Sequence, residues 1–122
     1  MEISRIVAKT IETGFGENPN WMAMVASSQG ESVEIVFETM QAPIIASSIV
    51  ASSQEAAKRM KPGTLHHELV WNFNDSRRSA PEAIDISLVA DGEVLCVNVG
   101  SGALFFRLSE TAKQSINNLR EF

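Results

Sequence analysis

A few residues of chemically active types lie close together in the sequence, and the first such group is His66-His67-Glu68. Neighbouring residues of a strand point to opposite faces, so His66 and Glu68 can share a face while His67 cannot join them. A protein zinc site takes three or four ligands from side chains. The group supplies too few, and we therefore expect neither a bound metal nor a cofactor.

The single cysteine, Cys96, would need a basic or positively charged neighbour to act as a nucleophile near neutral pH. It lies instead in the apolar run 94–97. Free cysteine often behaves as a small buried hydrophobic residue, so the run predicts a buried and unreactive thiol. The sequence also lacks a Gly-x-Ser-x-Gly elbow and a phosphate-binding loop, so the usual signs of an enzyme are absent.

Arg77 and Arg78 are the only adjacent arginines, and they lie in a polar stretch, residues 74–83. Paired guanidinium groups can bind a carboxylate or a phosphate through several N–H donors at once. Charged loop residues are usually plain solvated surface. These two arginines are our candidate ligand-binding residues, and the ligand they would suit is a small anion.

The net charge of -5 and the sequence pI near 5.0 argue against nucleic acid and anionic membranes as partners, because both attract clustered positive charge. The longest apolar-leaning stretch, residues 42–51, is about half as long as a membrane-spanning helix requires. The first residues do not resemble a signal peptide. A lone cysteine fits a reducing compartment, and we expect a cytoplasmic protein.

The first half of the chain predicts strands and one helix. Residues 3–13 favour a strand through their β-branched side chains, although their spacing also fits a helix. A loop over 14–20 then leads to a hairpin that turns at Gly30. Pro43 suits the first turn of a helix that ends near Lys61, and the predicted buried arc of this helix is Ile45, Ala46, Ile49, Val50, Ala56, Ala57 and Met60.

The second half predicts four strands and a final helix. Strands are expected over 67–73, 84–88, 94–99 and 103–108, with a tight reversal at Asp91-Gly92. The strand over 94–99 is apolar on nearly both faces and should be central. Ser109 can cap the last helix through its hydroxyl.

We therefore expect one α+β domain over residues 1–122, with a mainly antiparallel sheet of six or seven strands and two helices packed on one face. Residues 3–61 and 65–122 follow a similar plan of strands, a Gly-Glu turn and a helix. The plan suggests an internal duplication, while strand–strand–helix units are common enough to resemble each other by chance.

Two functions remain open at this point. The first is a non-catalytic binding or accessory module, working as a homodimer or with a protein partner or small anionic ligand. The dimer is expected because apolar residues such as Phe105 would be left on the uncovered face of the sheet. The alternative is a small enzyme whose site is assembled from dispersed polar residues, namely His66, Glu68, Asp75 and Arg77.

Overall fold

In the computed structural model, residues 5–60 and 80–120 are described. The chain divides into two compact units between Ala42 and Pro43. The first unit contains strands β1 (Thr10–Phe15), β2 (Trp21–Ser28) and β3 (Glu31–Glu38), followed by a short 3-10 helix (Thr39–Gln41). The second contains helices α1 (Ala42–Arg59, whose first residue precedes the boundary) and α2 (Glu110–Arg120), and strands β4 (Asp85–Val89), β5 (Val94–Asn98) and β6 (Ala103–Arg107).

Sheet 1 is the antiparallel meander β1-β2-β3. The predicted hairpin is confirmed, and Gly30 in its turn has a φ of 80°, which glycine adopts without steric cost. The start of the sheet differs from the sequence prediction. The strand begins at Thr10 rather than at residue 3, and it includes Gly14 and Phe15, which were predicted in the loop, because both pair with β2.

Sheet 2 is the antiparallel meander β4-β5-β6, so the prediction that residues 94–99 form a central strand is confirmed within this sheet. The predicted reversal between β4 and β5 is also confirmed. Three consecutive residues there have positive φ: Ala90 at 53°, Asp91 at 57° and Gly92 at 84°. This left-handed backbone makes the tight turn that antiparallel strands require.

The α+β class is confirmed, while the prediction of one sheet is wrong for the described residues. Their six strands form two three-stranded sheets. A long alternating pattern identifies strands, but it does not say which strands pair, and this is where the prediction failed. The predicted duplication is not confirmed, and the strand expected over 67–73 lies outside the described residues.

The helix bounds agree with the sequence prediction, whereas the buried arc of α1 does not. Pro43 is the one buried residue of α1, and only Ile45 and Ala57 of the predicted arc are half-buried. Ile49 is 55% exposed. In α2 the Ser109 hydroxyl accepts a hydrogen bond from the backbone N–H of Ala112 at 3.1 Å, which confirms the predicted cap.

Each helix has a close contact with another part of the second unit. At the start of α1, Pro43 lies against Gly102, where an added Cβ would be 3.1 Å from the proline Cγ. In α2, Lys113 forms ion pairs with Glu93 at 2.6 Å and Glu110 at 3.2 Å. Hydrogen bonds to the two carboxylates raise the pKa of Lys113 above its ordinary value.

We predict that Gly102→Ala destabilises the protein by about 1–2 kcal/mol, because φ at this residue is 157° and the new methyl group would press on Pro43. Urea unfolding followed by circular dichroism measures the change. Gly16→Ala is the control, since no atom lies within 4 Å of its added Cβ. Equal stabilities of the two variants would contradict the contact.

Candidate functional site

The pairing of sheet 1 determines which side chains share a face. Residues directly opposite each other on antiparallel strands project to the same side of the sheet. The registers align Phe15 with Met22 and Phe37 in one row across the three strands. Two further rows of three residues lie on the same face. We call this surface the apolar face of sheet 1, and it consists of Ile11, Thr13, Phe15, Met22, Met24, Ala26, Val33, Ile35 and Phe37.

Most of the apolar face of sheet 1 is open to solvent. Phe37 is 8% exposed and is the only buried hydrophobic side chain that the described residues contain besides Pro43. Ile11 is 63% exposed, Phe15 74% and Ile35 55%. Its two edge strands thus present large apolar side chains to water, and exposed apolar patches of several hundred Å² usually mark an interaction surface.

The opposite face of sheet 1 has a different chemical character. Glu12, Glu34 and Glu38 lie on it, together with Trp21 and Val36, which are 46% and 56% exposed. A shallow depression of about 470 Å³ runs over Gly14 and Ala23, where short side chains leave space. The carboxylates on this face would be costly to bury without partners, so it suits contact with water.

The second unit contains a groove between α1 and β6, which we call the helix–strand groove. Its volume is about 260 Å³. Four consecutive β6 residues, 104–107, form one wall, and turns of α1 form the other. The lining is mainly apolar, with Arg107 as its charged group among the described residues; the α1 side consists of Ala46, Ser47, Val50, Ala51 and Gln54.

Cys96 is half-buried rather than buried, so the sequence prediction is wrong in degree. The register of sheet 2 places it between Ser87 and Phe105 on one face. It lines an open depression with Asp85 and Asn98. The adjacent Leu95 and Val97 lie on the other face of the strand, whereas the face of the thiol includes the polar Asp85, Ser87 and Asn98 as well as Phe105.

The other residues that the sequence singled out are not among the described ones. Arg77 and Arg78, and the dispersed polar group of His66, Glu68 and Asp75, all lie within 61–79. Over residues 5–60 and 80–120, no group of three or more His, Cys, Asp or Glu side chains is placed to hold a metal ion.

Comparison with known protein families, curated proteins and solved structures finds no match to this chain. Neither α1 nor α2 combines the length and apolar character that a membrane-crossing helix requires. The candidate functional surfaces of the described residues are the apolar face of sheet 1 and the helix–strand groove.

The sequence held a signal for the apolar face that the prediction did not use. Val33 and Ile35 alternate with Ser32 and Glu34, and this period of two indicates a strand with one apolar face. Residues 21–26 are apolar throughout, and pairing the two strands across Gly30 places Met22, Met24 and Ala26 on the same face as Val33 and Ile35. No comparable sequence pattern predicts the helix–strand groove, because the groove depends on how α1 lies beside β6.

We predict that iodoacetamide labels Cys96 in the folded protein without global unfolding, because the thiol is half-buried at an open depression. The rate should be nearly constant in urea below the unfolding transition. It should still be slower than in fully unfolded protein. A rate that rises steeply with urea from the first additions would mean that labelling requires unfolding, and would contradict this placement.

Proposed function

We propose that the protein is a non-catalytic binding or accessory module that acts as a homodimer, with the apolar face of sheet 1 as its contact surface. The observation that carries this proposal is the exposure of Ile11, Phe15 and Ile35 on one aligned face. A cytoplasmic location belongs to the proposal, since the free Cys96 fits a reducing compartment. Arg77 and Arg78 stay the proposed contacts for an anionic ligand.

The chemical composition of this face favours burial against another protein. Thr13 is its only polar residue, and no charged side chain lies among the nine. Covering the face therefore removes apolar area from water without desolvating an unpaired charge. The opposite face, with Glu12, Glu34 and Glu38, would carry that penalty.

The size of the side chains favours a second copy as the covering layer. Among the exposed side chains, the large Phe15 lies at one end of the face and the smaller Ile11 and Val33 lie at the other. A twofold axis across the strands, at the row of Met24, places the large end of one copy over the small end of the other. Two such sheets can then pack at an even separation of about 10 Å.

The expected dimer is of moderate strength. Burying a Val, Ile or Phe side chain contributes about 1.5–3 kcal/mol, and the already half-covered residues contribute less. The exposed side chains of two copies thus offer on the order of 10 kcal/mol, which is similar to the roughly 4–15 kcal/mol that association costs. At the lower estimate of that cost, about 4 kcal/mol, about 6 kcal/mol remains, which corresponds to a dissociation constant of tens of micromolar, so dilution through the micromolar range can reveal dissociation.

We predict that Ile35→Glu converts the dimer to a monomer, because it places a charge in the middle row of the contact surface. Light scattering coupled to size exclusion should give twice 13.3 kDa for the unchanged protein at high micromolar concentration and 13.3 kDa for the variant. Circular dichroism should show that the variant stays folded.

Val36→Glu is a closely matched control. Val36 is the next residue of β3 and is 56% exposed, against 55% for Ile35, but it projects from the opposite face. This variant should remain dimeric. A mass of 13.3 kDa for the unchanged protein at every concentration would reject the dimer, and equal effects of the two substitutions would reject this face as the surface.

A further inference from the structure

The outer edge of β6 carries backbone groups that no strand of the described residues pairs with. Leu108 donates its N–H to the Glu93 carbonyl at 2.9 Å, and Val99 donates to Gly102 at 3.0 Å. Hydrogen-bonded and non-hydrogen-bonded pairs alternate along an antiparallel ladder, and these two bonds show which pairs are bonded. Leu104 and Phe106 therefore direct their N–H and C=O groups towards β5. The alternate residues, Ala103, Phe105 and Arg107, direct theirs to the outer side.

The helix–strand groove lies along β6, and the α1 residues of its other wall have short side chains that leave space for a ligand. Ala46, Ser47 and Ala51 present short side chains, while Val50 is 42% exposed. On β6, Phe105 is 61% exposed and Phe106 is 39% exposed. The groove therefore combines apolar side-chain contacts with backbone donors and acceptors that no described strand pairs with.

The two walls have similar lengths. The α1 residues from Ala46 to Gln54 span about 12 Å at 1.5 Å per residue. The β6 residues from Leu104 to Arg107 span about 10 Å at 3.4 Å per residue. An extended segment of about three or four residues would fill the distance between the ends of the groove.

Arg107 gives the groove a charge preference. Its guanidinium is absent from the ion pairs formed between described residues, which involve Lys58 and Lys113. A guanidinium can bind a carboxylate through two parallel hydrogen bonds. The groove thus suits a segment that is apolar along its length and carries a carboxylate.

We propose that the helix–strand groove binds an extended peptide segment that adds a strand to the outer edge of β6, with a carboxylate of the segment against Arg107. The segment's backbone bonds to Ala103, Phe105 and Arg107, and its apolar side chains contact Val50 and Phe106. Strand addition of this kind is a common mode of peptide recognition. The inference rests on the proposed role as a binding module and does not depend on the dimer.

Fluorescence anisotropy tests the proposal with four labelled heptapeptides that alternate valine and threonine and end in Val, Leu, Ile or Phe with a free carboxylate. At least one should bind saturably below 1 mM. Val50→Glu should weaken that binding at least tenfold by placing a carboxylate in the groove. Ser52→Glu is the control, because Ser52 is exposed on the side of α1 away from the groove, and it should leave binding unchanged.

Two chemical changes to the probe separate the parts of the proposal. N-methylation of alternate residues removes the donors that pair with β6 and should abolish binding in one of the two methylation registers. Amidation of the C-terminus should weaken binding to the unchanged protein and have little effect with Arg107→Gln. Full binding by both methylated probes, equal binding by the Val50 and Ser52 variants, or no saturation by any probe would overturn the inference.

The folded monomeric Ile35→Glu variant distinguishes this inference from the proposed dimer. Its substitution lies in the first unit, whereas the groove lies wholly in the second. Peptide binding should therefore survive loss of the dimer. If the unchanged protein proves monomeric and still binds the probes, the dimer fails alone; if it is dimeric and binds none of them, the groove proposal fails alone.

Discussion

A three-stranded sheet with one apolar face must have that face covered by another layer of protein, and sheet 1 is subject to this constraint. Sheet 1 meets every local requirement of a stable meander, including a Gly30 turn and two full ladders. What it lacks over the described residues is cover for Ile11, Phe15 and Ile35. In the proposed dimer, a second copy of the same face provides that cover without burying a charge.

The second unit differs from the first in that two helices accompany its sheet. Its helices contact residues next to the strands, at Pro43 against Gly102 and through the ion pair of Lys113 with Glu93. On one face of sheet 2, Leu95 and Val97 are half-buried, whereas Ile86 on the same face is 62% exposed. Because α1 lies beside β6, the edge of that strand becomes one wall of a groove. The two units thus offer a broad face and a narrow groove, which suit different kinds of contact.

The sequence predicted much of the local structure, because periodicity and turn residues act over short distances. The hairpin at Gly30, the reversal at Asp91-Gly92 and the Ser109 cap are all local features, and all were predicted. The number of sheets, the exposed arc of α1 and the position of the Cys96 thiol depend on which elements pair across long separations. Local sequence patterns do not contain that information. Both proposed functional surfaces depend on it, so the sequence alone did not predict either of them.

Oxidation of the methionines by dilute hydrogen peroxide, followed by mass spectrometry, tests the covered face most directly. Met24 lies in the middle row of the apolar face of sheet 1, whereas Met40 is 75% exposed and lies outside it. If two copies cover this face, Met24 oxidises more slowly as protein concentration rises from low to high micromolar, while the rate at Met40 stays constant. A Met24 rate that is independent of protein concentration throughout the micromolar range would contradict the proposed dimer.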